Sequence, residues 1–147
     1  MLSIVDGGTP SVILTTAQCA YAYSVHVSST GVVYVICSGG GSFGSSVLSI
    51  INGGTPAVLL TNAQCNGPQN VYTSSTGIVY AACSGGGSIG GSVLSIVNGG
   101  TPTTLLTTAQ CTNPFSVYAS SASSTGVVYA TCTGGGSLGG SVVSIGA

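Results

Sequence analysis

The sequence predicts an all-β chain, made of tandem repeats of four antiparallel strands in a β-propeller-like arrangement. Three observations carry this. The segment "SSTGVVYVIC" (28–37) returns as "SSTGIVYAAC" (74–83) and again as "SSTGVVYATC" (123–132). Gly or Pro punctuates the chain about every 8–12 residues, with β-branched residues between, as in a series of short strands. No segment of the 147 residues has both the length and the composition of a helix.

The period is read from several landmarks. Leu2, Leu48 and Leu94 open "LSIV", "LSII" and "LSIV" at a spacing of 46. Cys19, Cys65 and Cys111 close "TAQC", "NAQC" and "TAQC" at the same spacing. Cys37 and Cys83 keep it, but Cys132 lies 49 beyond Cys83, because the third copy carries three extra residues near "ASSASS". The repeat units are approximately 2–47, 48–93 and 94–142, and residues 143–147 start a further one.

Each unit divides into four strands. "SVYAS" is strand A. "SSTG" is a turn. "GVVYATC" is strand B, apolar on both faces, as a strand sandwiched between layers should be. A loop of the type "SGGGSxGGS" leads to strand C, "SVLSI". It reads as a flexible turn and not as a phosphate cradle, since neither Lys nor a helix follows it. "NGGTP" carries the Asn-Gly and Pro signals of a tight turn, and strand D, "TTLLT", follows. The chain runs C-D, A-B-C-D, A-B-C-D, A-B-C. Four strands per 40–50 residues is the spacing of a propeller blade. A β-solenoid is the structural rival; the tight turns at alternate strand ends favour the meander.

The stretch "PFSVYASSASSTGVVYATC" (114–132) with "GGSVVSI" (139–145) resembles the NHL/Virginiamycin-lyase-like propeller repeat. There a proline-led inner strand precedes "tG-vYv", a Gly loop and another strand. The resemblance covers essentially the whole chain and implies a propeller fold. Lyase-type members depend on His and acidic residues that are absent here, so the resemblance transfers no catalytic residue.

Charge is nearly absent: no Lys, no Arg, one acid (Asp6) and one histidine (His26). An ordinary domain is about 25% charged. With no basic surface to neutralise phosphate, nucleic-acid binding is excluded, and so is electrostatic docking on anionic membranes. No apolar run approaches the 18 or so residues of a membrane helix. Six cysteines in so small a chain imply an oxidising, extracellular or cell-surface setting. Met1 opens no recognisable signal peptide, so the chain is expected to be a processed or excised piece of something longer.

In repeat register, His26 aligns with Tyr72 and Tyr118, and Asp6 with Asn52 and Asn98. Each is one copy's variant of a structural position, and general acid–base work needs at least two placed titratable groups. No enzyme is expected. No C-x2-C spacing suggests zinc, and neither metal nor cofactor is expected. The six cysteines have a structural reading. Those at 19, 65 and 111 sit in the D-to-A loop, those at 37, 83 and 132 at the end of strand B, on the same side of the meander. The expected disulfides are Cys19–Cys37, Cys65–Cys83 and Cys111–Cys132. Tyr34, Tyr80 and Tyr129 on strand B are expected to be buried packing residues, with a sugar-stacking platform as the sharper alternative. No N-x-[ST] sequon occurs, and the Ser/Thr-rich loops are candidate O-glycan acceptors.

Two functions follow. The first is a non-catalytic extracellular structural protein, a subunit of a fibre, sheath or wall assembly. Its partners are copies of itself or further repeats of a longer chain. The second is a carbohydrate-binding, lectin-like propeller with one site per blade gap and glycans as partners. About three blades cannot close a ring alone, since closed propellers need at least four. Met1 aligns with Val47 and Val93, inside strand C, and Ala147 follows another strand C. The sequence therefore predicts open sheet edges that no charge blunts. Strand D around Val12 to Thr15 is expected to complete a neighbouring blade, in a filament rather than a ring.

Overall fold

The computed structural model describes residues 2–3, 9–85, 87–88, 91–120 and 126–146. Among these there is no helix. Thirteen strands follow one another in a simple meander. They are β1 (Leu2–Ser3), β2 (Ser11–Val12), β3 (Ala22–Val27), β4 (Val33–Cys37), β5 (Ser46–Ile50), β6 (Ala57–Leu60) and β7 (Pro68–Thr73), then β8 (Val79–Cys83), β9 (Gly91–Ile96), β10 (Thr103–Thr107), β11 (Pro114–Ala119), β12 (Val128–Cys132) and β13 (Ser141–Ile145). All pairings are antiparallel. β1 and β2 form a two-stranded hairpin. β3-β4-β5-β6 is the first full sheet, β7-β8-β9-β10 the second, and β11-β12-β13 the third, with three strands. The expected order C-D, A-B-C-D, A-B-C-D, A-B-C is thus the observed pairing order. The sheets do not close into a ring.

The turns explain why the meander forms. Asn52 and Gly53 both have positive φ (49° and 67°), as do Asn98 and Gly99 (52° and 67°). Positive φ at both central residues is the geometry of a type I′ turn, here set inside the six-residue connections 51–56 and 97–102. Gly54 N donates to Ile51 O at 2.8 Å and Gly100 N to Val97 O at 2.9 Å, closing each loop. The corresponding residues of the first copy, Asp6 among them, lie outside the described residues. The "SSTG" turn is tied differently. Ser28 Oγ accepts from Val32 N at 3.0 Å and Ser74 Oγ from Ile78 N at 3.1 Å. Its third copy falls largely in 121–125, which is also outside the described residues.

The sheets stack face to face, and three apolar clusters fill the gaps. Ile36, Val47 and Leu60 of the first sheet meet Val71, Val79, Ala81 and Leu94 of the second. Tyr80, Ala82 and Val93, on the opposite face of the second, meet Val117, Val128 and Ala130 of the third. Leu14, from the chain after β2, packs on Val35, Leu48 and Ile50. β8 is buried along its whole length, the both-faces-apolar pattern of strand B.

Three expectations are corrected. Strand D of the first copy spans Ser11–Val12 rather than reaching Thr15, because Thr15 already opens the following turn. Tyr80 is buried and Tyr34 half-buried, but Tyr129 is exposed, because no sheet covers the outer face of the third one. The Gly-rich loop is not a free turn: it is hydrogen-bonded to the Ala-Gln-Cys loop of its own repeat.

Candidate functional site

At one end of each of the three larger sheets, the loop leading into strand A is built the same way. In "TTAQC", Thr15 N donates to Gln18 Oε1 at 3.0 Å and Gln18 N donates back to Thr15 Oγ1 at 3.3 Å. Thr61 with Gln64 and Thr107 with Gln110 repeat both bonds. This is the reciprocal T-x-x-Q arrangement of a capping box, here closing a single turn. The signal was present in the sequence as a Thr three residues before each Gln. The turn delivers Cys19, Cys65 and Cys111 to Cys37, Cys83 and Cys132, and the structure bonds them in the three within-repeat pairs. Cα–Cα separations are 5.4, 5.2 and 5.5 Å, the ordinary disulfide range. The Gly-rich loop then lies over the turn: Ser42 N donates to Ala17 O, Ser88 N to Ala63 O, and Ser137 N to Ala109 O.

The inner strands β3, β7 and β11 run side by side across the sheets. Asn70 of β7 accepts from Val117 N of β11 through its Oδ1 at 3.1 Å, a bond that ties neighbouring sheets together. The first copy has Ser24 at that position, and no pattern in the repeats announces the cross-sheet role. His26, Tyr72 and Tyr118 form a ladder of rings. Consecutive centroids are 4.5 Å apart, and both steps are tilted by 46°. Such tilted pairs are a favourable aromatic geometry. The histidine of the first copy is therefore one rung of this ladder. Among the described residues no group of three or more His, Cys, Asp or Glu gathers as a metal site.

Partial burial pushes the His26 imidazole below its ordinary pKa of 6.5, and a hydrogen bond involving the Thr73 backbone works the other way. A histidine with a lowered native pKa takes up its proton more readily when unfolded. Stability is then full above about pH 6.5 and falls as pH drops below it toward the lower native value. His26→Tyr installs the residue of the other two rungs and removes that dependence. Urea midpoints of the native chain are expected to be lower at pH 5 than at pH 7, and those of the variant equal at both.

Two grooves open between sheets on the turn side. One, of about 460 Å³, lies between the first and second sheets, where Ser28, Thr30, Thr76 and Asn98 rim Tyr34. The other, about 150 Å³ and mainly apolar, holds Tyr80 at the equivalent place between the second and third. Burial raises the phenol pKa of both tyrosines.

The outermost faces are the other feature. Val25 is 56% exposed, whereas its repeat equivalents Val71 and Val117 are each 2% exposed. Val142 is 72% exposed, whereas Val47 and Val93 are fully buried. Tyr23 and Val27 extend the first patch on β3, and Tyr129 extends the second on β12. The three disulfides fit an oxidising compartment. No protein-family model and no curated protein sequence matches the chain.

Proposed function

We propose that the chain is a non-catalytic extracellular structural protein, a β-propeller-type subunit of a fibre, sheath or wall assembly. The observation that carries this is the exposure of Val25 and Val142 at places where the other repeats bury valine or leave a bare percent or two of it exposed. Two different apolar faces, each of a kind that covers the other inside the chain, remain uncovered on its outside. Apolar patches of this sort mark interaction surfaces. A surface with almost no charge opposes close packing of copies very little. Disulfides in every repeat suit a durable extracellular material. Sedimentation or mass photometry tests the reading. Material at micromolar concentration is expected as particles several times heavier than the 14.0 kDa chain. A dominant single-chain species would overturn it.

The inter-sheet groove favours a second reading, a carbohydrate-binding module. Hydroxyls of Ser28, Thr30 and Thr76 and the Asn98 amide beside Tyr34 offer uncharged hydrogen-bonding groups next to an aromatic ring. A discrete soluble particle that binds on a glycan array would select this reading over the first.

A further inference from the structure

The two exposed faces are related by the repeat itself. Inside the chain, β7 packs its Val71 face against the Ile36 and Val47 face of the first sheet. β11 packs its Val117 face against the Ala82 and Val93 face of the second. Both seams join the same two kinds of surface in the same orientation. The β3 face with Tyr23, Val25 and Val27 is the first kind of surface. The outer face of the third sheet, with Tyr129, Thr131 and Val142, is the second. Only a head-to-tail contact brings them together.

That contact meets one obstacle, which is instructive. The strand C place next to β2 is occupied by β1, paired through Leu2 with Val12 and Ser3 with Ser11. The full sheets pair strands C and D in the same register: Leu48 with Val58 and Ser49 with Ala57, then Leu94 with Thr104 and Ser95 with Thr103. In β13, Val143 and Ser144 stand at the positions of Leu48 and Ser49. β13 is bonded to β12 on one side, and no other described strand pairs with it. It is five residues long. An unpaired strand edge is a template for another strand.

We infer that copies of this chain join head to tail through a composite sheet, in which β13 of one copy displaces β1 beside β2 of the next. The Tyr129 and Val142 face of the first copy then covers the Tyr23, Val25 and Val27 face of the second. Val143 pairs with Val12 of the next copy and Ser144 with Ser11. The composite sheet β11-β12-β13-β2 has the four strands of the other full sheets. Tyr118 stacks on His26 of the next copy, continuing the ring ladder. β1 is a removable cap: while it is in place, β2 is satisfied within its own copy. The inference rests on the assembly reading above and specifies its contact.

The test uses the 147-residue chain and four variants. Val25→Asp blocks the receiving face and Val142→Asp the covering face, each at an exposed site that leaves the fold of the single copy intact. Asn62→Asp adds the same charge at an exposed loop residue away from both faces. Ser3→Pro removes a ladder donor from β1 and weakens the cap. By sedimentation, the parent and Asn62→Asp are expected to associate alike. Val25→Asp and Val142→Asp alone should each remain single chains at tenfold higher concentration. Mixed in equal amounts, they should form a two-chain species and nothing larger, because each retains the face the other lacks. Ser3→Pro should associate at a concentration at least tenfold lower than the parent. If the parent associates and the two Asp variants do so equally well, the assembly reading survives and this seam is wrong. Unchanged or weaker association of Ser3→Pro would overturn the exchange of β1 for β13. A parent that stays a single chain would sink both the seam and the assembly.

Discussion

Reduction of the three disulfides is expected to unfold the chain at 25 °C. Each bond closes a loop, with sequence separations of 18, 18 and 21. Loops of that size stabilise by about 3 kcal/mol each through lost freedom of the unfolded chain. Together that is about 9 kcal/mol, comparable with the whole stability of an ordinary domain, about 5–15 kcal/mol. There is little else to compensate, because the chain has no ion-pair network and each sheet is small. The cysteines are buried, so reductant alone acts slowly and denaturant is needed to open the bonds. Material reduced in urea, thiol-blocked and returned to buffer should show no cooperative melt by circular dichroism. The paired variant Cys65→Ala/Cys83→Ala should lose about 3 kcal/mol in urea titration. A thiol-blocked chain that keeps a cooperative transition would show that the apolar seams suffice without the bonds.

Gly136→Ala is expected to cost about 3 kcal/mol, far more than Gly140→Ala at nearly the same backbone angle. Gly136 has φ 72° and Gly140 φ 74°. Side chains are disfavoured at both by roughly 1–2 kcal/mol. A Cβ on Gly140 meets nothing within 4 Å. On Gly136 it would lie 2.5 Å from the Gln110 carbonyl oxygen and 2.9 Å from that of Ala109. Those carbonyls accept from Leu138 N and Ser137 N. Forcing the loop away breaks both bonds, at about 1 kcal/mol each. The same contact recurs at Gly41 against Gln18 and at Gly87 against Gln64. Equal losses for Gly136→Ala and Gly140→Ala in urea titration would mean that backbone angle alone matters and the close approach does not.

The strand order and the cysteine pairs were legible because both are local. Asn-Gly between two β-branched runs favours a tight turn, as at 52–53 and 98–99, and a repeated spacing fixes which loop meets which strand end. The Gly-rich loop was misread as merely flexible because its glycines serve a close approach to another loop, which spacing alone does not show. Tyr129 was misread for a different reason. Repetition makes Tyr34, Tyr80 and Tyr129 look alike, yet burial depends on what covers each sheet, and that is a property of neighbours. The cross-sheet bond from Val117 to Asn70 was hidden likewise, since a serine serves at the same position of the other repeats. The outer valines, on which the functional reading turns, are the same residue type as their buried equivalents, and only the stacking of the sheets sets them apart.

The ring ladder also ties the addition of copies to the spacing of the sheets. Its two steps are equal, 4.5 Å and 46° each, although one joins histidine to tyrosine and the other tyrosine to tyrosine. The stacking of the sheets, rather than the kind of ring, therefore sets the step. With β13 in the place of β1, Tyr118 of one copy would meet His26 of the next across a step of the same kind. The column of rings would then run on from copy to copy in the order His, Tyr, Tyr, and mark the axis along which copies are added.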